Sequence, residues 1–476
     1  QPKADVFTKN ESYCIEHDLF DKNYYSIISA LFSFLSKDKD KRDLLLGIKF
    51  PIQHNTAINK EDYHSYYINK AILSNNYFLL QGPPGTGKTS NFLTNYIKEL
   101  YYKTNLQIMV ITFTNRSLDE VIKHLINNNL HFVLVSSSNN EDYSFKSILK
   151  NNKFKEKPFN GFRICLATIS SYLLYQNEIN YHFKVNTLII DEASQIAEVQ
   201  IIGILSEFDK FVMIGDHNQL PAISVQSDEF CFIDDEDLNK IGLYNLKDSF
   251  FERLYTLDEK ANLKDNIDLL TIHYRMHEDI ASLINQYYNN KLICGQKAQN
   301  LPSTLLVDVE IFGKKPFNKR ILFLNIENET NGLNKTCLKE AEAIRTILEK
   351  LSDNFEVIDD DMFGIITPFR SQISVIKNEI NKLPFYNNLQ IDTIERYQGS
   401  EKRIILISFG VNNKLQLNGI TSFNSSGTLD RKLNVAISRA KDYLILIGNE
   451  KILNLHPHIK NLIDEIKIKN SYINLK

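Results

Sequence analysis

The sequence predicts two tandem α/β domains, each a parallel sheet flanked by helices, and three observations carry that prediction. Short continuous apolar runs rich in Ile, Val, Leu and Phe alternate with amphipathic stretches, which marks parallel strands buried on both faces. The runs fall into two series with a weakly periodic region between them. At 476 residues the chain also exceeds the usual size of one domain.

The first series is Tyr77 to Gln81, Ile108 to Thr112, Arg163 to Thr168, Thr187 to Ile190 and Phe211 to Ile214. The second is Ile321 to Asn325, Met362 to Thr367, Ile404 to Phe409 and Tyr443 to Ile447. Between them, residues 223–265 carry the acidic cluster Asp234-Asp235-Glu236-Asp237, read as a solvated loop, and put the boundary near residue 265. The expected division is a charged helical segment over 1–50, a first domain over 51–265 and a second over 266–476. The chain opens on Gln1-Pro2-Lys3-Ala4-Asp5, without an initiator Met or a basic-then-apolar leader, and is read as a piece of a longer protein.

Composition narrows the function classes. With 43% hydrophobic and 24% charged residues the chain has ordinary globular balance, and no apolar run approaches the roughly 18 residues of a membrane span. No membrane partner is expected. A net charge of −3 argues against coating nucleic acid by bulk electrostatics, so any such site must be a local groove. The scattered Cys14, Cys165, Cys231, Cys294 and Cys337 form no CxxC pair and read as reduced thiols of an intracellular protein, cytoplasmic, or nuclear if the source is eukaryotic.

The segment Gly82-Pro83-Pro84-Gly85-Thr86-Gly87-Lys88-Thr89, continued by Ser90, fits GxxxxGK[ST]. It follows the strand "YFLLQ" and leads into the helical pattern "SNFLTNYIKELYY". Its glycines let backbone N–H groups close around phosphate oxygens, Lys88 reaches the terminal phosphates and Thr89 suits Mg²⁺. In "VNTLIIDEASQ", Asp191 and Glu192 end an apolar strand where a doubly wound sheet presents its ligand crevice. Asp191 would hold the magnesium and Glu192 would deprotonate the attacking water. A third strand end, "FVMIGDHNQLPA", brings Gly215, Asp216 and Gln219 to the same crevice, where Gln219 could sense the γ-phosphate. ATP and Mg²⁺ are the expected cofactors.

These segments resemble the motifs of superfamily 1 helicases, in the branch that includes the nonsense-mediated-decay RNA helicase and the Okazaki-fragment nuclease-helicase. The similarity continues through "TIHYRMHEDI" at 271–280, "FGIITPFRSQ" at 363–372, "IDTIERYQGSEKRIILIS" at 391–408 and "LDRKLNVAISRAKDYLILIGN" at 429–449. It implies two tandem RecA-like domains and an ATP-driven motor that translocates along single-stranded nucleic acid and unwinds duplexes, with 5′→3′ polarity. It implies phosphate contacts from Arg275 and Arg439, adenine stacking by Tyr274 and a sugar contact from Glu401. It further implies that the strand is held by Thr114 and Asn115 of "TFTNRSLDE", by Thr168, and by Thr367, Pro368 and Arg370. Such contacts grip the backbone without reading bases, so DNA and RNA both fit. A nuclease or adaptor domain outside this chain would be a partner.

Three positions depart from the family pattern. The adenine-reading Gln is replaced by His64 in "KEDYHSYY", and Lys402 and Arg403 follow Glu401 where an acid is usual. Only residues 125 to 160 lie between "TFTNRSLDE" and Thr168, which leaves little room for an accessory insertion. A clamp that closes on a strand with ATP but does not unwind it therefore stands as a second reading. A small GTPase-like switch is a third, and it would leave the arginines of the second half unexplained.

Overall fold

The computed structural model describes residues 19–53, 58, 62–135, 162–222, 226, 228–300, 309–315, 319–327, 334–353, 355, 358–424 and 427–475. The opening residues, Cys14 and most of the 125–160 stretch lie outside that range.

Two parallel sheets form the frame. The first comprises β1 (Tyr77–Gln81), β2 (Ile108–Thr112), β3 (Phe132–Val135), β4 (Ile164–Thr168), β5 (Thr187–Asp191), β6 (Lys210–Gly215) and β7 (Ile267–Leu269), in the order β3-β4-β2-β5-β6-β1-β7. A ribbon of β8 (Ile272–His273) and β9 (Ile293–Cys294) follows. The second sheet comprises β10 (Ile321–Ile326), β11 (Phe363–Ile366), β12 (Gln390–Asp392), β13 (Lys402–Ser408), β14 (Ala440–Gly448) and β15 (Tyr472–Leu475), in the order β12-β11-β13-β14-β10-β15. Neighbouring strands run parallel throughout both sheets. The tandem α/β frame expected from the alternating runs is the fold observed.

The reason for continuous rather than alternating hydrophobicity is visible in the packing. Leu79, Met109, Leu188 and Met213 face one core with helices Ile169–His182, Glu198–Ser206 and Phe250–Lys260. Their neighbours Phe78, Leu80, Val110, Ile189 and Val212 face another, beneath helices Tyr63–Leu73, Thr94–Lys103 and Asn115–Asn127. Every residue of β1, β2 and β5 is buried because a helix layer covers each face. Leu220 and Leu269 of the first half join the second half's core around Met276, Ile280 and Leu444, so part of the seam between halves is apolar packing. Among the described residues no helix is long and apolar enough to cross a membrane.

The structure revises four details. β7 lies beyond the boundary expected near 265 yet pairs with Leu79, Leu80 and Gln81, which extends the first sheet to residue 269. The N-terminal helix Leu19–Ser36 packs on Glu198–Ser206, and Lys37 pairs with Glu207 at 2.9 Å, so this segment belongs to the first half's body. The acidic cluster is exposed, but Asp235 accepts from the N–H groups of Asp237 and Leu238 at 2.9 Å and caps a five-residue helix, Glu236–Lys240. The helix after the glycine-rich loop begins as a π turn, Lys88–Leu93, before the α-helix Thr94–Lys103. Thr94 Oγ1 donates to the Thr89 carbonyl at 2.7 Å, adding to the bond that the same carbonyl accepts from the Thr94 N–H in the widened turn.

Arg253 ties three of these helices together. Its side chain is buried, pairs with Glu198 at 2.6 and 2.8 Å, and donates to the carbonyls of Leu45, Leu46 and Ile241. Arg253→Ala strips the counter-charge from Glu198 and orphans three carbonyls. It is expected to cost about 3–5 kcal/mol, read as a lower denaturation midpoint in urea.

Candidate active site and strand cleft

The glycine-rich loop, Asp191–Glu192 and Gly215–Asp216 follow β1, β5 and β6, which are adjacent in the sheet order. Their carboxyl ends therefore converge. The Lys88 side chain lies directly over Gly82, where an added Cβ would fall 2.1 Å from Lys88 Cγ, and Gly87 takes φ +76° at the helix start. The loop is thus closed around a backbone cradle that only glycine permits. Thr89 Oγ1 donates to Asp191 Oδ2 at 2.8 Å, and Lys88 Nζ stands 3.7 Å from Glu192 Oε1. Glu192 sits at φ +54°, the left-handed region, and Gln195 Nε2 donates to its Oε2 at 2.9 Å. Burial first, and the Glu192 charge second, push the Asp191 carboxyl above its ordinary range, while Lys88 opposes the shift. A hydroxyl beside one buried carboxylate, with phosphate oxygens to complete the shell, suits Mg²⁺.

The second half meets this edge with the amino ends of β13 and β14. Ser400 and Glu401 immediately precede β13, and Arg439 immediately precedes β14. Tyr274 and Arg275 follow β8 and pack on the loop itself, where the Tyr274 N–H donates to the Gly85 carbonyl at 2.8 Å. The Tyr274 ring lies against Gly295, where a Cβ would fall 2.4 Å from Cε1. Arg275 pairs with Glu401 at 2.5 Å and donates to the Ser438 carbonyl at 3.3 Å. Arg439 is 3% exposed and its Nη2 donates to Gln219 Oε1 at 3.2 Å, across the seam. Lys88, Glu192, Gln219, Tyr274, Arg275, Glu401 and Arg439 all line one cleft of about 930 Å³.

That cleft is charged for an anion. Its walls carry Lys88, Arg116, Arg275, Lys402, Arg439 and Lys441 against Glu120, Glu192 and Glu401. Six cations face three carboxylates, an excess of three positive charges inside a chain of net charge −3. Burial first, and then the like charge of Arg275, lower the Arg439 guanidinium to about 9. Burial raises the Glu401 carboxyl, but Arg275 and Lys441 outweigh it and hold Glu401 below the ordinary range. A polyphosphate would relieve the crowding of both arginines.

Behind the cleft, Asp216 anchors a buried polar network. It accepts from Gln81 at 3.2 Å, from Gln219 at 2.6 Å and from the Tyr288 hydroxyl at 2.8 Å. Asn434 Nδ2 donates to Tyr288 Oη at 2.9 Å and to the Asn218 carbonyl at 2.7 Å. Burial is the largest influence on Asp216 and raises its carboxyl, and Lys88 and these donors oppose the rise.

A second cleft of about 950 Å³ adjoins the first and shares Arg116, Glu120, Glu192, Gln398 and Gly399 with it. Of the residues expected on a strand, Thr114 lines it. The hydroxyls of Thr114 and Thr168 also cap helices, accepting from the Ser117 and Ser171 N–H groups at 3.1 and 3.3 Å. Asn115 and Arg370 are exposed outside both clefts. Thr367 is fully buried and Pro368 faces a small apolar cavity with Ile394 and Phe409, so the Thr367 side chain cannot touch a strand in this arrangement. His64 is absent from the walls of the nucleotide cleft, and its N–H donates to Asp62 at 3.2 Å at a helix start.

Residue patterns missed Arg116, which donates across the seam to Gly399 O at 2.9 Å and Ser400 Oγ at 3.0 Å. Its position inside "TFTNRSLDE" was an available signal. Tyr288 and Asn434 were also missed and carry no local signal, since their partners lie 72 to 216 residues away.

Comparison with known proteins agrees with this geometry. Two AAA-domain family models match, at residues 67–225 and 246–451, one on each half. A DNA replication ATP-dependent helicase/nuclease of Arabidopsis thaliana is 29% identical over 435 residues, covering 85% of this chain and 30% of the relative. Its counterparts in Saccharomyces cerevisiae and Homo sapiens are 27% and 26% identical, covering 89% and 85% of this chain and 28% and 38% of theirs. The chain thus spans about a third of the length of the relatives it matches. With a phosphate cradle in one half, arginines from the other on the same cleft and an AAA-domain match on each, the chain is similar along both halves to AAA-domain proteins and, over most of its length, to the DNA replication ATP-dependent helicase/nucleases.

Proposed function

We propose that this chain is the motor of a 5′→3′ helicase, coupling ATP hydrolysis to translocation along single-stranded nucleic acid and to duplex unwinding. The observation that carries the reading is the Gln219–Arg439 bond across the seam, opening onto a cleft that also holds Lys88, Glu192 and Arg275. The relatives' role in DNA replication favours DNA as the track, and their greater length leaves room for a nuclease or adaptor segment beside this motor. The thiols and the substrate suit an intracellular, cytoplasmic setting.

In this reading the cradle from Gly82 to Ser90 binds the phosphates and Tyr274 supports the adenine. Magnesium, when bound, neutralises phosphate charge and would be held by Thr89 and Asp191. Glu192 takes the proton from the attacking water, which Gln219 helps to orient. Lys88, Arg275 and Arg439 stabilise charge on the transferring phosphoryl group. Arg275 must exchange Glu401 for phosphate, which leaves Glu401 with Lys441, 3.1 Å away, and near the sugar. Because the arginines belong to the half opposite the cradle, nucleotide binding tightens the seam and product release loosens it.

The decisive experiment measures ATP turnover with matched single-stranded DNA and RNA, followed by displacement of a tailed duplex. Stimulation and displacement are expected, greater on DNA and with a 5′ tail. Stimulation without displacement would identify a clamp instead. Glu192→Gln should bind ATP but hydrolyse it roughly 100- to 10,000-fold more slowly in single turnovers. Tyr288→Phe removes a donor to buried Asp216 and should lower strand-stimulated kcat about tenfold at nearly unchanged KM for ATP. An equal loss in KM would place Tyr288 in nucleotide binding rather than at the seam.

A further inference from the structure

The second cleft has an aromatic rim that the contacts above leave unused. Phe423 lines the cleft and is 41% exposed. A lone exposed Phe is ordinary on a protein surface. This one is held in place. Its backbone bridges to Asp430, the Ser422 N–H donates to Asp430 Oδ1 at 3.1 Å, and the Arg431 N–H donates back to the Ser422 carbonyl at 2.7 Å. One ring face stacks on His456 at 5.2 Å and 11°, and His458 flanks it at 5.3 Å. Burial first, and the charge of His458 second, hold His456 below the ordinary histidine range.

The surroundings suit a nucleotide chain. Arg396, Arg116 and Lys432 line the cleft, Lys432 paired with Glu395 at 3.0 Å, and Leu220, Pro221 and Ala222 form an apolar stretch of wall. A preset ring with an available surface, beside cations and an apolar wall, matches a base on an aromatic and phosphates on guanidinium or ammonium groups. We propose that Phe423 is a stacking shelf for one base of a single-stranded nucleic acid bound in the second cleft, with His456 as the positioning residue beneath it. This rests on the motor reading above. Asp430 links the shelf to the chemistry, since it also caps helix Arg431–Ile437, which carries Asn434 and leads to Arg439.

The test is fluorescence anisotropy with labelled oligothymidylate and oligouridylate of about 20 nucleotides, and with an abasic version of the DNA strand. Removing the bases should weaken binding by the unaltered chain roughly tenfold, and Phe423→Ala should weaken binding to the intact strand equally. Phe423→Ala should then bind the abasic strand as the unaltered chain does, Phe423→Trp should restore affinity for the intact strand, and His456→Ala should fall between. Unchanged melting temperatures would show that the variants fold. If Phe423→Ala bound both intact strands as tightly as the unaltered chain, the shelf would be refuted while the motor reading stood. If the unaltered chain bound neither DNA nor RNA, both would fall.

Discussion

One buried carboxylate holds the two halves of this molecule in register. Asp216 is 1% exposed, and a charge so placed is tolerable only when its lone pairs are fully used. Two of its donors, Gln81 and Gln219, come from the first half, whereas the Tyr288 hydroxyl comes from the second. Separating the halves would remove one of those donors and also break the Asn434 bond to the Asn218 carbonyl. The same carboxylate positions Gln219, whose amide oxygen receives Arg439. Closure of the seam and placement of the arginine are therefore one structural event.

A second tie works by charge. Arg431, 2% exposed, pairs with Glu252 from helix Phe250–Lys260 and lines the second cleft. Burial raises the Glu252 carboxyl, and Arg431 is the main influence opposing it. A buried pair of this kind does more for specificity of docking than for net stability, because desolvation offsets most of the attraction. The apolar packing of Leu220 and Leu269 into the second half's core supplies the non-directional part of the contact. The seam combines a weakly selective apolar base with directional polar ties.

The sequence was most legible where function is written into a contiguous stretch at a strand end. The β1-to-loop junction, Asp191–Glu192 after β5 and Asp216–Gln219 after β6 stand at adjacent strand ends as expected, because a strand, a turn and a chemically specific residue follow one another. Arg275 and Arg439 could be placed opposite the cradle only through family resemblance. Neither periodicity nor spacing indicates that Arg439 meets Gln219 across 220 residues. The short strands β3, β7, β12 and β15, of three or four residues, passed unnoticed because such runs carry no measurable period. The π turn, with its hydroxyl-to-carbonyl bond from Thr94 to Thr89, has no counterpart in a propensity scale. Thr367 shows the opposite failure, since a motif match identified its position but not its burial.

The adjoining clefts suggest how occupancy of one is felt in the other. Arg116, Glu120, Glu192, Gln398 and Gly399 are common to both, so they form a wall shared by the cradle cleft and the second cleft. Arg116 spans the seam by donating to the Gly399 carbonyl and the Ser400 hydroxyl, and Ser400 also accepts at its carbonyl from Arg439 at 3.3 Å. A phosphate entering the second cleft would compete for Arg116 with those backbone and hydroxyl acceptors. Any shift of the Gly399–Ser400 turn then moves an acceptor of Arg439, which lines the cradle cleft. Coupling of this form needs no distant relay, because one turn of the second half serves as a wall of both sites.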